Sequence, residues 1–279
     1  MSTQPDGYRR QLGFEPPERV PWSELGPEFA EIWGRPEGRH DPEHVEITGQ
    51  SGSGKTYLLV ALLQERALAR GTSEIFVATK KADSTFDLLG WPIVSTWDEV
   101  RKYRWCTFWP MTRAVGQEAE KFHEQRIYEL LARLWQPSAN TVVAWDEIGY
   151  VEALSGRLKR LIRQYWREAR SHGITIVAMK QRPVGVSRDM HSESRWKFVF
   201  PPEDRGDLDR FAELLGTPRD WAPVLDSLDQ ERHEFVVMNK RRRLAYISWI
   251  DYELHPIPSQ AHQADRTAHE YLWGRARNR

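Results

Sequence analysis

Residues 49–56 read Gly49-Gln50-Ser51-Gly52-Ser53-Gly54-Lys55-Thr56, the spacing G-x-x-x-x-G-K-[ST] that wraps backbone N–H groups around a phosphate. The glycines let those groups converge at the N-terminus of the following helix, where the helix dipole also favours an anion. In such a loop Lys55 bridges the β- and γ-phosphates of a nucleoside triphosphate, and the Thr56 hydroxyl ligates Mg²⁺. Gly49 to Thr56 and the adjoining Tyr57 are therefore candidate ATP contacts. Farther along, Val142-Val143-Ala144-Trp145-Asp146-Glu147 is an apolar run that ends in two carboxylates. At the C-terminal end of a buried strand, where open α/β sheets bind ligands, Asp146 is placed to hold the Mg²⁺ shell through water. Glu147, one residue on, is placed to polarise a water for in-line attack on the γ-phosphate. A carboxylate base favours hydrolysis over transfer to a second substrate. A chance glycine loop and an acidic helix cap are the plain alternatives, and the pairing of loop and carboxylates outweighs both.

Such residues need elements to hold them. His44 to Thr48 reads as a strand before the loop, and Lys55 to Ala69 as a helix after it that stops near Gly71. Strands are expected at Glu74 to Thr79, Arg104 to Trp109, Thr141 to Trp145, Ile174 to Met179 and Trp196 to Phe200. Helices are expected at Gly116 to Trp135 and Ser155 to Ser171. Thr141 to Trp145 is nearly all apolar, as a central parallel strand buried on both faces must be. Alternating helices and strands predict an α/β sheet built from right-handed crossovers. Glu234 to Met238 and Leu244 to Ile250, joined by Asn239 to Arg243, read as a C-terminal β-hairpin. Residues 1–43, rich in Pro, Gly and charge, are expected as an extended N-terminal arm with at most one short helix around Glu28 to Trp33. Residues 44–254 make the expected domain, and 255–279 a polar tail.

The whole chain sets limits. Its 279 residues suffice for one substantial core. Forty Lys and Arg balance forty Asp and Glu, so no global field points to a polyanionic partner. Cys106 is the single cysteine, which excludes an intramolecular disulfide and a cysteine-based zinc cluster. The longest apolar run, Tyr57 to Leu63, is far shorter than the roughly 20 residues that span a bilayer, and MSTQPDGYRR has no signal-peptide hydrophobic region. A cytoplasmic setting with no intrinsic membrane span is the expectation. The thirteen Trp are expected mostly in the core or at subunit contacts.

Further segments resemble the FtsK-HerA superfamily of P-loop ATPases. Ile174-Thr-Ile-Val-Ala-Met-Lys-Gln181-Arg182-Pro183 is similar to that group's strand ending in TQRP, with Met179-Lys180 departing from the usual small residue and Thr. Arg167-Glu-Ala-Arg170-Ser-His-Gly173 is similar to its R-x-x-G element, Val77 to Asp83 to its second-strand region, and Ser192-Glu-Ser-Arg195 to its SES segment. The resemblance spans residues 40–216 and implies a RecA-like ASCE P-loop NTPase fold. It implies that Gln181 senses the γ-phosphate or orients the attacking water, and that Arg170 acts as a finger on a neighbouring subunit's ATP, with Arg167 and Arg163 as alternates. It also implies a homo-oligomeric ring, hexamer or pentamer, that hydrolyses MgATP and moves double-stranded DNA, held by its phosphates. Arg182, Arg188, Arg195 and the Lys240 to Arg243 turn are candidate pore contacts. The small size fits genome packaging for a phage or mobile element, docked on a capsid or portal-vertex protein at a virion vertex. The alternatives are a virion assembly or export ATPase like the zonula-occludens-toxin group, and a non-translocating nucleotide switch.

Overall fold

The computed structural model describes residues 14–34, 43–70, 72–80, 84–182 and 187–257. Ten strands form one sheet: β1 (Glu18–Arg19), β2 (His44–Thr48), β3 (Ser73–Val77), β4 (Ile93–Val94), β5 (Trp105–Phe108), β6 (Thr141–Trp145), β7 (Ile174–Lys180), β8 (Ser194–Val199), β9 (Phe235–Asn239) and β10 (Leu244–Ser248). Between them run α1 (Trp22–Gly34), α2 (Lys55–Arg70), α3 (Ser84–Leu89), α4 (Trp97–Val100), α5 (Gln117–Leu134), α6 (Ile148–Leu154), α7 (Gly156–Glu168), α8 (Arg188–Glu193), α9 (Leu208–Leu215) and α10 (Pro218–Asp226). The strand order is β1-β10-β9-β8-β2-β7-β6-β3-β5-β4. From β8 to β4 every neighbouring pair is parallel. Only β9 runs the other way, pairing antiparallel with β8 and β10.

Burial on both faces explains the apolar strands. Along β6, Val142 and Ala144 face a core shared with α1 and α2, while Val143 and Trp145 face a second core shared with α5, α6 and α7. The inner face of α5, Ile127, Leu130, Leu131 and Leu134, repeats at helical spacing and is fully buried. A third core lies between β8 to β10 and the pair α9 and α10. Nine tryptophans, Trp22, Trp33, Trp91, Trp105, Trp109, Trp145, Trp166, Trp196 and Trp221, are buried. Cys106 on β5 is fully buried too, which pushes its thiol pKa up to about 12.

The expected extended arm is corrected in its described part. Residues 22–34 form α1, and Trp22, Leu25, Phe29 and Trp33 are buried along one face of it. Phe29 packs edge-on to Trp196 with ring centres 4.7 Å apart. Trp22 Nε1 donates to Glu65 Oε1 at 2.7 Å, and the Arg66 guanidinium sits 4.7 Å from the centre of the Trp33 ring. Pro27 and the flanking glycines pointed to an arm, but an aromatic stripe that can cover α2 outweighs their helix penalty. Residues 1–13 and 35–42, and the expected tail beyond residue 257, lie outside the described residues. The helix expected at Ser155 to Ser171 is α7 followed by a 3₁₀ turn, Ala169–His172, that ends on Gly173 at φ 74°.

Candidate active site

The loop between β2 and α2 is a tight wrap. Gly49 N donates to Lys180 O at 3.2 Å, Ser53 N to Gln50 O at 3.3 Å, and Leu58 N to Gly54 O at 3.0 Å. Gly54 holds φ at 94°, a left-handed conformation that glycine alone takes freely. Gly49 is needed for a different reason, because a Cβ there would come within 2.7 Å of Phe200 Cβ. The Lys55 ammonium donates to the Gln50 carbonyl, so it already points back over the loop. Burial lowers its pKa to about 8, with Glu147 opposing and Lys80 adding to the shift.

Three adjacent parallel strands, β2, β7 and β6, end beside one another, so the loop, Gln181 and the Asp146-Glu147 pair meet on one edge of the sheet. They line a cavity of about 570 Å³ together with Ser51, Gly52, Gly54, Lys55, Thr56 and Tyr57. That volume lies within the usual range for a small-molecule site, roughly 300–1,000 Å³. Asp146 is buried, and its Oδ2 accepts from Thr79 Oγ1 at 2.9 Å and from Thr79 N at 3.3 Å. Glu147 is half-buried; burial raises its pKa, against the Gly149 N–H, Lys55, Lys80 and Lys180. Among the described residues no three His, Cys, Asp or Glu side chains cluster as a metal cage. One hydroxyl and one carboxylate beside a phosphate loop instead suit Mg²⁺, which keeps waters and takes phosphate oxygens.

Solved structures of the same shape include the genome packaging NTPase B204 from Sulfolobus turreted icosahedral virus 2 in complex with sulfate. It matches with a TM-score of 0.58 at 16% identity, covering 76% of this chain and 98% of that one. VirB4 of Thermoanaerobacter pseudethanolicus matches with a TM-score of 0.58 at 10% identity, over 79% of this chain and 92% of VirB4. The pCW3 conjugation coupling protein TcpA, in monomer form with ATPgS, matches at 0.50 and 14% identity, over 75% of this chain and 61% of TcpA. The chain shares the fold of these structures, an α/β architecture with a mostly parallel central sheet flanked by helices. No protein-family model and no curated protein sequence matches it.

Within that fold the sequence-predicted residues divide between the two edges of the sheet. Arg170 lies in the turn before β7, and seven strand residues at about 3.3 Å each put it roughly 20 Å from Gln181. It does not line the cavity of its own chain, and its guanidinium meets Glu193 at 3.1 Å. The alternates Arg163 and Arg167 both bind Asp189, at 2.7 and 2.8 Å. Arg195 and Arg242 share Glu43 at 3.4 and 3.6 Å, also on the edge away from the phosphate loop. Arg182 stays at the loop edge, 3.9 Å from Asp207. The candidate pore residues thus form no single patch within one chain.

Three groups carried weak signals or none. Lys80 lines the cavity beside Lys55, and Thr79 orients Asp146; only the general likeness of residues 77–83 pointed there. Glu46, in the middle of apolar β2, is fully buried and accepts from Lys180 at 2.7 Å, Lys197 at 2.9 Å and His191 Nδ1 at 2.8 Å. Burial opposes its charge, but Lys180, Lys197 and His191 together hold the carboxyl well below the usual range. A lone carboxylate inside an apolar strand is itself the sign that cations must surround it. Arg232 and His233 complete the cavity from the turn before β9, with no motif to announce them.

Proposed function

We propose that this protein is a MgATP-hydrolysing DNA translocase of the genome-packaging type, acting as a homo-oligomeric ring of the FtsK-HerA superfamily. The observation that supports it most is the convergence of Lys55, Thr56, Asp146, Glu147 and Gln181 on one cavity. In this reading the loop N–H groups and Lys55 hold the β- and γ-phosphates, while Thr56 and Asp146 hold Mg²⁺. Bound there, Mg²⁺ neutralises phosphate charge. Glu147, kept partly dry and raised in pKa, takes a proton from the attacking water, and Gln181 orients that water. The B204 structures in complex with sulfate, ATP-gammaS and AMPPCP support nucleotide binding by this fold.

Arg170 lies at the sheet edge away from its own phosphate loop, which supports a role toward a neighbouring subunit and hence a ring. Double-stranded DNA is then the substrate moved, and a capsid or portal-vertex protein the docking partner, in the host cytoplasm. No described helix is long and apolar enough to cross a membrane. ATP hydrolysis assayed with and without linear duplex tests the reading. Strong stimulation by duplex is expected; hydrolysis indifferent to DNA would leave the export or switch role and overturn translocation. The assay, not the fold, separates these roles.

A further inference from the structure

The cavity has two unlike halves. On one side of β2 the ends of β7, β6 and β3 bring Gln181, Asp146, Glu147 and Lys80. On the other side the ends of β8 and β10 and the start of antiparallel β9 bring Phe200, Ile250, Phe235 and a turn carrying Arg232 and His233. A triphosphate whose last phosphate faces Glu147 across the loop directs its nucleoside into this second half, which the hydrolytic chemistry leaves unused.

The second half has an aromatic floor and a cationic rim. Phe200 and Phe235 are both 1% exposed, with ring centres 5.1 Å apart. Above them the 229–234 turn is tightly held. His233 N donates to Gln230 O at 3.2 Å, Glu234 N to Asp229 O at 3.0 Å, and Asp229 N to Glu234 Oε2 at 2.9 Å. Arg19 braces Glu234 from β1 at 3.3 Å. His233 is kept at φ 54°, a left-handed conformation that few non-Gly residues adopt and in which His, like Asn and Asp, is enriched. The turn's hydrogen bonds hold that conformation and so fix where the side chain is aimed. The aim is at the phosphate loop: a Cβ on Gly54 would lie 3.1 Å from His233 Cβ and 3.6 Å from its Nδ1. Arg232 is exposed beside it, 3.7 Å from Asp229 Oδ2 and with its guanidinium 5.7 Å from the centre of the Trp249 ring.

We propose that the 229–234 turn is a nucleoside clamp, in which His233 and Arg232 cover the base of a purine nucleotide floored by Phe200, Phe235 and Ile250. The clamp rests on the nucleotide reading of the cavity. A purine offers the larger π-face to a guanidinium and an imidazole, and that stack carries selectivity for base class. Because the turn belongs to the same chain as the loop, the clamp works within one subunit.

Calorimetric titration of the full chain with ATP, CTP and inorganic tripolyphosphate, all with Mg²⁺, tests this. The variant is Arg232→Ala with His233→Asn, since Asn tolerates the left-handed backbone. The wild-type protein should bind ATP more tightly than CTP. The variant should lose about tenfold in ATP affinity while tripolyphosphate changes less than about twofold. Unchanged ATP affinity overturns the clamp, and so does a wild-type preference for CTP. Equal loss for ATP and tripolyphosphate at an unaltered melting temperature overturns it too, by making the turn a phosphate contact. If the double variant melts early, Arg232→Ala alone, which removes an exposed side chain, decides by the same criteria. Lys55→Ala should lose both probes. Wild-type protein that binds neither ATP nor tripolyphosphate overturns the nucleotide reading, and the clamp with it.

Discussion

In the proposed reaction, two side chains with opposed titrations set the working range of the site. Glu147 accepts a proton only when ionised, and burial raises the pH at which that happens. Lys55 in its proposed role holds phosphate only when charged, and burial lowers its pKa to about 8. The expected kcat/KM profile is therefore a bell, with an acid limb above the ordinary carboxylate range and an alkaline limb near pH 8. Stopped assays across pH 4–10 check this, and a profile flat through pH 9 would mean that burial does not depress the Lys55 ammonium. Glu147→Gln should bind MgATP as the wild type does but turn over about 10²- to 10⁴-fold more slowly. Unimpaired turnover in that variant would dismiss Glu147 as the base.

At the scale of elements, the site depends on strands that carry polar groups among apolar ones. Glu46 lies between Lys180 and Lys197 and so ties β2 to β7 and β8, the strands that bear the loop and Gln181. Glu46→Gln leaves two buried lysines without a counter-charge and should cost roughly 3–5 kcal/mol, read from urea unfolding. The folded pKa of Glu46 lies below its unfolded value, so its stabilising effect is present above the usual carboxylate range. It fades as pH falls through the folded value. Thr79→Ala removes the hydroxyl bond to the Asp146 carboxylate while leaving the Thr79 N–H bond, and should slow turnover about tenfold with little change in ATP binding. The loop, β6 and β7 were legible because glycine spacing and unbroken apolar runs are local signals. Helix α1 was not, since Pro27 and nearby glycines mask an aromatic stripe whose value depends on α2. The turn at Arg232 and His233 was invisible because only the antiparallel pairing of β9 carries it back to the phosphate edge. Helices α9 and α10 had their apolar faces, but no motif marked them.

For the whole molecule, equal numbers of acidic and basic residues mean that the proposed duplex binding must come from arranged patches. In the proposed ring, Arg170 from one subunit serves its neighbour. Arg170→Ala and Glu147→Gln proteins, each inactive, should then recover ATPase activity when mixed, because one interface in the mixture joins an intact Arg170 to an intact Glu147. A mixture as dead as its parts would place Arg170 elsewhere. The duplex-binding constant should fall steeply with salt, with a log–log slope near −0.9 per phosphate contacted. The sealed position of Cys106 has its own use. A thiol fully enclosed in β5 and titrating only near pH 12 stays dark to maleimides. A cysteine added at an exposed position such as Met111 would then be the one handle for a dye, and fluorescence could follow a single named position on a chain otherwise left as nature wrote it.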